Sequence, residues 1–95
     1  MASGSRHPWS EMVQLDRLIA SFKACTGPYP WRDFERLLRA LSYDELPRGK
    51  TAGSRRKFRN PNTNHLIMLH EPHDGEMKPG MVRRLRDDLE DRGIL

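Results

Sequence analysis

Apolar residues recur along this chain with two different periods. Leu15, Leu18, Ile19 and Phe22 stand at i, i+3, i+4 and i+7, the spacing of one helix face. Ser10 offers an N-cap and Glu11 suits a first turn, so the pattern predicts a helix over about residues 10–24. Thr26-Gly27-Pro28 ends it, and Pro28 and Pro30 keep the connection extended. Trp31, Phe34, Leu37, Leu38 and Leu41 form the stripe of a second helix starting near Trp31. Beyond Leu41 the period shortens. Tyr43 and Leu46 predict a short strand. Residues 55–59 alternate, with Arg56 and Phe58 on one face and Arg55, Lys57 and Arg59 on the other. Asn60-Pro61-Asn62-Thr63 is a turn signal. The apolar run His65 to His70 follows and predicts the central strand. Glu71 to Lys78, with Pro72 and Gly75, reads as a loop. Pro79 suits the first turn of a last helix, Val82, Leu85 and Leu89 give its stripe, and Gly93 its stop.

The order α-α-β-β-β-α predicts a small α+β fold: a three-stranded antiparallel sheet with helices on one face. Phe58 is expected to face those helices with Leu37, Leu38 and Leu85, leaving Arg55, Lys57 and Arg59 on an open face. Residues 1–9 read as a disordered lead-in and 10–95 as a single domain.

The 95 residues allow one small domain with a thin core. That excludes a barrel or a full dinucleotide fold. Charged residues make up 32% and mean hydropathy is −0.83, yet the helical clustering of apolar residues argues against wholesale disorder. No apolar run approaches the ~20 residues of a membrane span, and the first eight residues lack the apolar core of a secretory signal. Cys25 is the single cysteine, so neither an internal disulfide nor a cysteine-based zinc site is available. The expected compartment is the cytoplasm, with no membrane partner.

Charge changes this picture. The formal net charge is +4, but it is unevenly spread. Residues 1–47 are balanced and residues 70–95 carry −2. Residues 48–69 carry Arg48, Lys50, Arg55, Arg56, Lys57 and Arg59 with no acid. An acid-free basic segment attracts a polyanion, because neutralising phosphates releases counterions. The plainer alternative is a solvated loop that aids solubility.

Three segments are expected to meet at one end of the sheet: Gly53-Ser54-Arg55-Arg56-Lys57 at one strand's start, His70-Glu71-Pro72-His73 at its neighbour's end, and Lys78-Pro79-Gly80 at the last helix's N-terminus. Other readings stand beside this one. His70 can be a half-buried strand-end histidine. His70 and His73 with Asp74 and Glu76 can ligate zinc. His65 is expected at the surface, Cys25 at a helix end, and Asp87, Asp88, Glu90 and Asp91 on a solvated helix face.

At these residues the chain resembles a family. Trp31-Arg32-Asp33 with Leu37-Leu38, Gly53-Ser54-Arg55, His70-x-Pro72-His73 and Lys78-Pro79-Gly80-Met81-Val82 leading to Gly93 together resemble the HicA-type toxins of bacterial toxin–antitoxin modules. The resemblance covers residues 31–94. It makes the helix within residues 10–25 an N-terminal extension, like that of a longer branch with a Gly-Ser-Arg turn. It implies a double-stranded-RNA-binding-domain-like fold and a metal-independent mRNA interferase with no cofactor. The implied partners are mRNA and a HicB-type antitoxin, with the chain a monomer or part of an antitoxin hetero-complex. The family's usual turn is Gly-Ser-His with a catalytic histidine, and here that position is Arg55. Proton transfer must then come from elsewhere, and His73, then His70, are the candidates. Ser54, Arg55, Arg56, Lys57, Arg59 and Lys78 are the candidate RNA- and phosphate-binding residues. Histidine suits either proton role near neutral pH, and cations stabilise a phosphorane's added charge. A noncatalytic RNA-binding module with the same fold is the alternative.

Overall fold

The first long helix, α1 (Pro8–Ala24), begins two residues before the expected cap, so Ser10 lies inside it. The computed structural model describes residues 8–50 and 53–95, with side chains from residue 14 onward. Most of the expected lead-in over residues 1–9 therefore lies outside the described residues. Next come β1 (Tyr29–Pro30), α2 (Trp31–Ala40), β2 (Asp44–Glu45), β3 (Arg55–Arg59), β4 (Leu66–His70), β5 (Glu76–Met77) and α3 (Pro79–Asp91).

The three-stranded antiparallel sheet has the order β2-β3-β4. The central strand is therefore β3, not the apolar run at 66–70. Two local structures cause this. The turn at 60–64 folds β4 against one side of β3. Asn60 N–H donates to His65 C=O at 2.9 Å, and the Asn60 side chain accepts from Asn62 N–H at 2.9 Å, an Asx turn. On the other side, the link from α2 delivers β2, and Leu46 N–H donates to Lys57 C=O at 2.9 Å. β4 is apolar because Ile67 and Leu69 enter the core, while Leu66 and Met68 remain 42% and 61% exposed.

Phe58 is 2% exposed and packs with Leu37 and Leu38, with Leu85 against the same cluster. The expected register is thus correct, since a slip of one residue would turn Phe58 to the open face. Phe22 of α1, Phe34 of α2, and Val82 and Leu89 of α3 belong to the same core. A two-stranded ribbon, Tyr29 opposite Met77 and Pro30 opposite Glu76, had no periodic signal in the sequence. α3 ends in a Schellman motif: Gly93 N–H donates to Glu90 C=O and Ile94 N–H to Leu89 C=O, with Gly93 at φ +73°.

Candidate nucleic-acid interface

The β3–β4 register decides which side chains share the open face. Arg55 lies opposite His70, Lys57 opposite Met68, and Arg59 opposite Leu66. All six are exposed. Three cations therefore stand in a row beside an imidazole and two apolar side chains. Among the described residues, none of the three cations makes an ion pair. Arg59 Nε donates to Asn64 Oδ1 at 2.9 Å, and Asp44 lies across from Arg59 on β2.

At the end of this row, Ser54 Oγ is 3.2 Å from His70 Nδ1. Glu71 N–H donates to Ser54 C=O at 2.8 Å. The antiparallel ladder thus brings the start of β3 against the end of β4. Beside them is an open hollow lined by Ser54, His70, Pro72, His73, Lys78 and Met81, with Glu71, Asp74 and Glu76 also on its wall. All three segments singled out in the sequence contribute to it. α3 starts here at Pro79, after Lys78, with no acid in its first turn. The positive end of the helix is therefore not offset by a carboxylate of its own.

Two residues differ from expectation. Arg56, named as a phosphate ligand, is 6% exposed and lies on the core face. Its guanidinium bonds Glu45 through Nε and Nη2, Glu71 through Nη1, and Glu35 through Nη2 at 3.0 Å. It also lies 5.6 Å from the Trp31 ring centroid and 5.9 Å from that of Phe58. A buried cation has to be paired, and here the carboxylates fill it, so it does not join the open face. Hydrogen bonds from Arg56 hold the Glu45 carboxyl below its ordinary pKa, and Glu45 in turn raises that of Arg56. The signal was present in the period-two pattern, which put Arg56 on the side of Phe58. The partners Glu35, Glu45 and Glu71 carried no local mark.

His65 was expected at the surface and is buried. Its Nδ1 is 2.7 Å from Tyr43 Oη and its Nε2 3.3 Å from Asp88 Oδ2. Burial pushes its pKa below the ordinary histidine value, Arg92 adds to this, and Asp88 opposes it. Burial also raises the pKa of Tyr43. Asp88 is therefore engaged with His65 and Arg92 rather than merely solvated.

Among the described residues, no group of three or more His, Cys, Asp or Glu side chains is placed to hold a metal ion. No described helix is long and apolar enough to cross a membrane.

The three helices and the basic-faced antiparallel sheet define a small α+β protein of the double-stranded-RNA-binding-domain type. Residues 31–94 match the sequence model of the HicA toxin of bacterial toxin–antitoxin systems, and the chain belongs to that family. It is thus a toxin component of such a system. No curated protein and no solved structure matches the chain significantly.

Proposed function

We propose that this toxin is a metal-independent endoribonuclease that cleaves mRNA in the cytoplasm, blocks translation, and is neutralised by a HicB-type antitoxin. The observation that carries the reading is the Ser54–His70 contact of 3.2 Å next to the Arg55–His70 cross-strand pair. The imidazole missing from position 55 is supplied from the facing strand, and Arg55 stands beside it as a cation.

In this reading RNA lies along Arg55, Lys57 and Arg59, with the scissile phosphate near Ser54, Arg55 and Lys78. His70 Nδ1–H donates to Ser54 Oγ, which leaves Nε2 free as a base. Nε2 takes the proton of a ribose 2′-OH, and the 2′-oxygen bonds to phosphorus. Arg55 stabilises the added negative charge of the phosphorane. The bond from phosphorus to the 5′-oxygen then breaks, and protonated His73 gives that oxygen its proton. The products are a 2′,3′-cyclic phosphate and a 5′-hydroxyl. Every protein group is a side chain of this chain, so the reaction needs no metal.

A second reading, a noncatalytic RNA-binding module, is favoured by arginine standing at the turn position. Purified protein incubated with mRNA in excess EDTA separates the two. Fragments ending in 2′,3′-cyclic phosphate support the nuclease; intact but bound RNA supports the module.

A further inference from the structure

Arg56 makes more bonds than burial of one cation requires. Three carboxylates surround one guanidinium, and even with Arg48 3.9 Å from Glu45 they outnumber the cations. Buried ionic clusters are weak sources of stability, since apolar residues of similar volume often do as well. What such a cluster does supply is geometry, because a guanidinium offers five donors in a rigid fork. Its three partners come from three different places: Glu35 from α2, Glu45 from β2, and Glu71 from the segment between His70 and His73.

Glu71 is held at two points. Its carboxylate takes Arg56 Nη1, and its N–H donates to Ser54 C=O at 2.8 Å. The far end of the same loop is fixed as well, since Trp31 N–H donates to Gly75 C=O at 2.9 Å. Trp31 is the residue whose ring lies beside Arg56. The loop carrying His73 is thus tied at one end to the Arg56 side chain and at the other to the backbone of Trp31.

We propose that Arg56, acting through Glu71, is the positioning residue of this site. It sets the 71–75 loop so that His73 lies in register with His70 and Ser54, while Glu35 and Glu45 hold Arg56 itself. This rests on the nuclease reading for its catalytic consequence, but not for its structural one.

The test compares Glu71→Gln with Glu45→Gln, using RNA cleavage, thermal melting and amide hydrogen exchange. Glu45→Gln strikes the same guanidinium without touching the histidine segment. Glu71→Gln is expected to lower kcat about 10²-fold, the scale of an ångström-level misplacement. KM should stay within about threefold, because Arg55, Lys57 and Arg59 remain in place. The amides of Glu71, His73, Asp74 and Gly75 should exchange faster in this variant than in Glu45→Gln. Glu45→Gln is expected to lower Tm with a smaller loss of kcat than Glu71→Gln, because Arg56 keeps its bonds to Glu71 and Glu35. Equal losses of kcat in the two variants, or an unchanged loop in Glu71→Gln, would overturn the proposal. If the wild-type chain cuts no RNA, the nuclease reading fails, and the exchange comparison still decides whether Arg56 positions the loop.

Discussion

A histidine moves protons on demand when one ring nitrogen is held and the other is free. In the proposed nuclease, Ser54 Oγ, 3.2 Å from Nδ1, holds His70 in that way, and His73 stands exposed on the same hollow. His70→Ala and His73→Ala should each lower the cleavage rate by about 10²–10⁴-fold, with RNA affinity within a few-fold of wild type by filter binding. His65 should behave differently. Its pKa in the folded chain is lowered by burial, so the unfolded chain binds a proton that the folded chain refuses. Stability is therefore complete above the ordinary histidine pKa of about 6.5 and falls as pH drops below it. Tm measured at pH 7.5 and pH 5 should show this fall, and His65→Gln should flatten it. An unchanged pH dependence in that variant would rule out His65 as its cause.

The elements were legible wherever one period ran long enough. The stripe from Trp31 to Leu41 predicted α2, and the 55–59 alternation predicted both faces of β3, down to the burial of Phe58. Phe58→Ala should accordingly cost about 3–5 kcal/mol, read by chemical denaturation. Legibility ended at contacts made between distant residues. The two-residue ribbon at 29–30 and 76–77 is too short to have a period. β4 looked central because Leu66 and Met68 are apolar, although they are exposed. Arg56 was counted with the phosphate ligands because the carboxylates that fill it are 11, 15 and 21 residues away. Removing it leaves three cations on the strand's open face. With about 0.7–0.9 counterions released per phosphate neutralised, log K for RNA should fall with log salt at a slope of about −2 to −3. Lys57→Glu should weaken binding regardless of RNA sequence. A slope near zero would exclude the open face as the RNA surface.

Across the whole molecule, the fold gathers distant segments at one end of the sheet. The hairpin sets Arg55 beside His70, and the entry to α3 brings Lys78 to the hollow that His73 lines. Arg55 thereby stands next to an imidazole carried on the neighbouring strand. The measurement that tests the nuclease reading most directly is cleavage of a defined mRNA, in EDTA, by wild type and by the His70→Ala/His73→Ala double variant at equal concentration. Proton transfer by His70 and His73 predicts 2′,3′-cyclic phosphate ends from wild type and intact RNA from a double variant that still folds and binds. Cleavage at the wild-type rate by the double variant would contradict it.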